Sequence, residues 1–446
     1  MPFFVMAIST NIPNDDNQVI KYKGMNYTNL WKSVDSLNQV GLYREAYAKV
    51  EFIFRQAKED KETEQIIKAV FYILKYLNEL ENEGKISGIK RLEKEVNEVG
   101  FPENALLHSI LAELYSEYLN MNSWSLMDRK EVVGTLPDDI NLWSIRNFEE
   151  AISFHFFKSI DYPEAKLMPL RKIDGLILNP DKAEYVFHTL YDLLVYRATL
   201  YFSKNASRLI KPEDFFLLQD TMALAPIDSF VSIHFTTSDS ASFIVKALSL
   251  YQDVLLFHRY DNNPDVLIDF DIQRIIFVYQ HLTHPNKREY YHKQLNYLIL
   301  KYPDQLKTAE IYYLLAKEML EQSSLAKAAS LCRFAIDKYG KCAGSSLCQQ
   351  LLNSIEEKHL SVIMEDYNLP NSPLLLKISF KNVKSFKGGV VPLSFKDFQQ
   401  CRLLTLESDI KKFLKSNRPK NEIEVSLPDS LDYLPHETEI ALDGLK

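Results

Sequence analysis

One spacing constrains this chain more than any other. Leu30, Val34 and Leu37 recur at i, i+4 and i+7, which places them on one face of a helix. Gly41 follows, where a chain leaving a helix can adopt positive φ without penalty. Tyr43, Ala46, Val50 and Ile53 continue the row on a second helix, and Ala46 is small enough to let the two helices approach closely. The arrangement returns between residues 309 and 339, at Tyr312, Leu315, Ala316, Met319, Ala328, Cys332 and Ala335. A helix pair of this kind cannot bury its apolar face alone and needs neighbours to stack on. The expectation is a mainly α chain of stacked helix pairs.

Both runs resemble the packing positions of a tetratricopeptide repeat. Composition points the same way. Glycine is only 12 of 446 residues, an economy that strand-and-turn proteins rarely manage. The 25 Tyr and 26 Phe suit aromatic packing between helices. The length allows two or more domains.

The first ten residues, MPFFVMAIST, are apolar and end in the small-x-small run Ala7-Ile8-Ser9, which reads as the back half of a secretion signal. Residues 1–20 are therefore expected to be a signal remnant and polar lead, and residues 21–367 a helical repeat-like domain. The most apolar helix is expected over 185–202, and a last helix over 344–367. Beyond a Pro-rich break the period changes to two. Leu376, Ile378 and Phe380 alternate with Lys377, Ser379 and Lys381, the pattern of a half-buried strand. Gly388-Gly389 reads as a hairpin turn. Ile423, Val425 and Leu427, then Thr438, Ile440 and Leu442, mark two more strands. Residues 373–446 are thus expected to be a β segment. Its four or so strands fall short of the roughly seven that close a sandwich, so an incomplete domain is expected.

The net charge of −8 disfavours a general nucleic-acid binder. Within the β segment the charges separate. Residues 373–421 hold 11 Lys/Arg against 3 Asp/Glu, and residues 422–446 hold 7 acids against 1 Lys. Two faces of one small domain that attract each other account for this. No run of 18 apolar residues occurs, so no membrane span is expected.

No catalytic, cofactor-binding or metal-ligating residue emerges. The chain has no Gly-rich phosphate loop, no Gly-x-Ser-x-Gly and no His-Glu-x-x-His. His281 and His284, with His292 nearby, lie beside Pro285 and read as loop histidines rather than ligands. Asp265, Asp269 and Asp271 lack calcium-site spacing, and the charge preference of a helix N-terminus explains them better. Cys332, Cys342, Cys348 and Cys401 include no Cys-x-x-Cys pair. Buried free thiols are expected, and in an oxidising compartment one disulfide is open to Cys332, Cys342 and Cys348.

Several stretches in order carry a resemblance. They are Leu30-Trp31-Lys32 with Gly41-Leu42, the run from Gln65 to Ala69, and Tyr191-Asp192-Leu193-Leu194 with Tyr196-Arg197-Ala198. Tyr251-Gln252-Asp253 with Phe257-His258 follows, then Asp261-Asn262-Asn263-Pro264-Asp265 with Leu267-Ile268, and the strand over 374–383. Together they resemble the N-terminal region of bacterial alpha-2-macroglobulin-like proteins of the Bacteroidetes type. In these a helical, repeat-like region precedes a string of macroglobulin β-sandwich domains.

The resemblance implies a non-catalytic structural and interaction region of an endopeptidase inhibitor. It also implies a secreted, periplasmic or outer-membrane-associated setting. The implied partners are the remaining macroglobulin domains of a longer chain or an envelope protein, with target proteases reached indirectly and no nucleic acid. The family's Cys-x-Glu-Gln thioester and bait segment have no counterpart here, so no family active residue carries over. Gly388-Gly389 also departs from the continuous first strand of such a domain. The alternative is a stand-alone helical-repeat protein that binds a peptide or glycan at the cell envelope.

Overall fold

A computed structural model describes residues 27–127, 129, 138–177, 187–206, 214–239, 241–365, 367, 369, 372–417, 420–428 and 431–442. The expected signal remnant at 1–20 lies outside the described residues. The protein is mainly helical with a small C-terminal antiparallel β portion. It divides into two compact units, Met1–Gln294 and Leu295–Lys446. The change from helix to strand falls inside the second unit.

The first unit is built of helices α1 (Tyr27–Gln39), α2 (Tyr43–Asp60), α3 (Thr63–Leu80), α4 (Gly84–Glu95), α5 (Glu103–Leu126), α6 (Ile145–Ile160), α7 (Leu190–Lys204), α8 (Phe243–His258) and α9 (Asp265–His281). Consecutive helices pack on one another: α2 on α3, α5 on α6, α7 on α8 and α8 on α9. Short turns at Pro163–Lys166 and Thr221–Leu224 lie between them. Helix α10 (Lys287–Lys301) contains the division between the units.

The opening pair folds as its spacing predicts. Val34, Ala46, Val50 and Ile53 are fully buried. Gly41 takes φ +76°, its amide donates to the Asn38 carbonyl at 3.1 Å, and the Leu42 amide donates to the Leu37 carbonyl at 3.0 Å. That is the glycine-ended helix stop in which two late carbonyls find donors. Tyr43 is a correction: it sits exposed at the start of α2. Trp31 fills the interior instead and donates to Gln65 Oε1 at 2.7 Å.

Helix α7 starts later than its apolar run. Thr189 and Asp192 form a reciprocal capping box, so the helix begins at Leu190. In α9, Asp271 is engaged by a partner rather than by a helix terminus. Its Oδ1 accepts from Arg274 Nε at 2.8 Å and lies 2.7 Å from Nη2 in an ion pair, both residues being buried.

The second unit begins with a compact helix trio, α11 (Thr308–Glu321), α12 (Leu325–Tyr339) and α13 (Ala343–Glu356). Ala309, Ala316, Ala328, Cys332, Ala335 and Cys348 form its close-packed centre. Small residues bring the helices so near that a Cβ on Gly344 would collide with the backbone of Ala309 and Glu310.

Helix α13 ends at Glu356, eleven residues before the expected limit. The remainder becomes a strand, β1 (His359–Met364). Its Leu360, Val362 and Met364 have period two and pair antiparallel with Phe380, Ile378 and Leu376 of β2 (Leu374–Lys381). A short apolar run after a helix carries no periodicity long enough to separate the two states. The strands β3 (Ser385–Val390) and β4 (Lys420–Ser426) form a separate pair, and β5 (His436–Leu442) lies on the other side of β2, giving the order β1-β2-β5. The expected turn at Gly388-Gly389 is a correction, because both glycines lie within β3 and the ladder shifts register there. Helices α14 (Phe395–Arg402) and α15 (Glu407–Ser416) connect β3 to β4. The basic and acidic stretches meet across strands: Lys377 pairs with Glu437 at 2.9 Å and Lys387 with Glu424 at 3.4 Å.

Candidate interaction sites

Two places stand out, one in each unit. The first is a cleft whose back wall is fixed by a buried charge relay. Asp192 closes the start of α7, its Oδ2 accepting from the amides of His188 and Thr189 at 2.9 Å each. Its Oδ1 lies 2.9 Å from His258 Nε2 at the end of α8, and His258 Nδ1 lies 2.7 Å from Asp261 Oδ2. Burial alone would lower the His258 pKa, but hydrogen bonds and charge from Asp192, then Asp261, outweigh it and raise the pKa. The relay ties α7 to α8.

The residues next to it in sequence form the cleft wall. Tyr191 and Phe257 meet edge to face with centroids 5.3 Å apart. Lys166, from the turn Pro163–Lys166, places its ammonium 4.7 Å from the Tyr191 ring centre and 5.0 Å from that of Phe257. In front lies a cleft of about 620 Å³, bordered by Phe154 and Phe157 of α6 and by Asp253 and Leu256 of α8. Desolvation raises the Asp253 pKa, with the Lys166 charge opposing. Among the described residues, no salt bridge joins Lys166 or Asp253 to a counter-ion.

The second place is the sheet of the second unit. On the inner face of β2, Leu376, Ile378 and Phe380 are 6%, 0% and 2% exposed, covered by Leu427 and by Phe386 and Val425 of β3 and β4. Their partners on β1, Met364, Val362 and Leu360, face the same way but are 56%, 44% and 39% exposed. Among the described residues the cover reaches β2 and stops short of β1. Strand β1 is also an edge strand, and Leu360–Met364 contains neither a charge nor a proline to discourage pairing. Helices α14 and α15 bury none of their residues, and Phe395, Leu403 and Leu406 stand exposed.

The other chemistry-bearing residues are separately engaged. His281 packs 4.6 Å from the Phe277 ring, while His284 Nδ1 accepts from the Asn286 amide at 3.2 Å. Asp269 accepts from Gln273 at 2.6 Å. Among the described residues no group of three His, Cys, Asp or Glu could hold a metal ion. All four cysteines are free. Cys332 and Cys348 are buried together in the helix trio, and Cys342 caps α13 by accepting from the Ser345 amide at 3.4 Å.

Sequence reasoning did not single out Lys166 or the open row of β1. The relay had one readable signal, the Thr-x-x-Asp capping spacing at 189–192. No protein-family profile matches this chain, and no curated protein is significantly similar to it.

Proposed function

We propose that this chain is a non-catalytic structural and interaction region, of the kind that precedes the β-sandwich domains of alpha-2-macroglobulin-like protease inhibitors outside the cell or at its envelope. The carrying observation is the half-covered sheet. An apolar row that is buried on β2 and open on β1 is what remains when one layer of a sandwich is not in place. Among the described residues no strand pairs with the outer edge of β1, and that edge offers its backbone groups to an added strand. The partner is a β domain, either a further macroglobulin domain of a longer chain or an envelope protein. Proteases are met only through that partner. Helices α14 and α15, which bury none of their residues, and the exposed Leu403 and Leu406 between them extend the same contact.

The test is a photoreactive benzoylphenylalanine at Val362, in the protein as its native host makes it. The same residue at the exposed Lys61 serves as control. The reading expects an adduct from position 362, but not 61, mapping to a β domain of the same polypeptide or of an envelope protein. An adduct pattern identical at the two positions, or none at 362, overturns it.

A further inference from the structure

We propose that the cleft between α6 and α8 binds a peptide segment, seating one apolar side chain among Phe154, Phe157 and Leu256 while a peptide amide bridges Lys166 and Asp253. This site lies wholly in the first unit and stands independently of the β-sheet contact.

Three observations select the ligand. The first is volume. A cleft of about 620 Å³ matches a side chain and its flanking backbone, within the usual range of roughly 300–1,000 Å³ for a ligand pocket. The second is the pairing of unlike charges. Lys166 and Asp253 both line the cleft, and the Lys166 charge opposes the desolvation that raises the Asp253 pKa, yet the two form no salt bridge with each other. A group between them must accept from one and donate to the other. A peptide amide does both: its carbonyl oxygen accepts from the Lys166 ammonium, and an N–H donates to the Asp253 carboxylate. Lining charges balance, with Lys158 and Asp161 paired at the rim at 3.4 Å, so a neutral ligand suits the site better than an ion.

The third is the character of the walls. Apart from the charged residues, the lining is Phe, Tyr, Ile and Leu, with no side-chain amide and no Trp. A sugar ring would leave most of its hydroxyls against hydrocarbon without partners. An apolar side chain would fill that surface. The relay behind the wall makes the site preformed. Asp192 and His258 hold Tyr191 and Phe257 in place, and those rings in turn face the Lys166 ammonium.

The test is calorimetric titration of the full chain with the blocked neutral tripeptide acetyl-Leu-Phe-Leu-amide, and separately with maltohexaose. Saturable tripeptide binding is expected, weakened roughly tenfold by either K166M or D253N, as losing one charge-assisted hydrogen bond implies. Phe154→Ser, at an exposed position, is expected to weaken binding several-fold while leaving thermal unfolding unchanged, which guards against variants that merely misfold. No saturable tripeptide binding overturns the proposal. So does binding that all three substitutions leave unchanged, or saturable binding of maltohexaose in place of the tripeptide.

Discussion

His258 Nε2 lies 2.9 Å from Asp192 Oδ1, and both side chains are buried. Removing the imidazole would strand a carboxylate in the interior, so His258→Gln is expected to cost about 3–5 kcal/mol. The cost should depend on pH. The folded pKa of His258 is raised, so its contribution is complete below the unfolded value of about 6.5 and is lost as pH rises through the folded pKa. Urea unfolding at pH 6 and pH 9 should show a larger gap between wild type and variant at pH 6. An equal gap at both would mean the relay is not charged.

A pair of histidines titrates in the opposite sense. His108 Nδ1 and His155 Nδ1 are 2.8 Å apart, and burial lowers their pKa values to about 4 and about 3. The unfolded chain then binds more protons than the folded one below about pH 6.5, and stability drops as pH falls towards 4. His155→Phe should reduce the slope of melting temperature against pH between 6.5 and 4. A variant slope as steep as wild type would assign the acid sensitivity elsewhere.

Arg274 is fully buried, bonded to Asp271 and 4.5 Å from the Phe230 ring centre. Arg274→Met alone removes the buried cation paired with Asp271 and should lose about 3–5 kcal/mol. Adding Asp271→Leu removes the buried carboxylate as well and should restore most of that loss in denaturant unfolding. A double variant as unstable as the single one would point to the shape of Arg274 rather than its charge.

Gly344 tests the close approach of α11 and α13. In an open helix Gly→Ala would stabilise by about 0.5–1 kcal/mol. Here the added methyl meets the backbone of Ala309 and Glu310, which cannot yield as a side chain could. Gly344→Ala is expected to destabilise by roughly 1–3 kcal/mol in thermal unfolding, as overpacked cores do. A gain in stability would mean the helices separate more easily than their small residues indicate.

What the sequence made legible was local. The row from Leu30 to Ile53 and its recurrence at 312–335 each lie within some 25 residues, and helical spacing makes them visible. Strand β2 was equally plain because Leu376, Ile378 and Phe380 alternate with polar residues. Strand β1 was not, since Leu360–Met364 shows its alternation only when set against β2. The cleft was hidden for another reason. Lys166, Tyr191 and Asp253 come from three elements and nearly ninety positions, and nothing in their spacing announces that they face one space. Asp192 and His258 are 66 residues apart, and only packing of α7 on α8 joins them.

The openness of the β1 inner row is tested most directly by equilibrium unfolding of the double variant V362T/M364Q, which keeps strand propensity while removing apolar surface. An open row predicts stability within about 1 kcal/mol of wild type, as for surface substitutions generally. A loss of several kcal/mol, the scale expected for truncating buried residues such as Ile378, would show that the row is already covered and that the sheet awaits no partner.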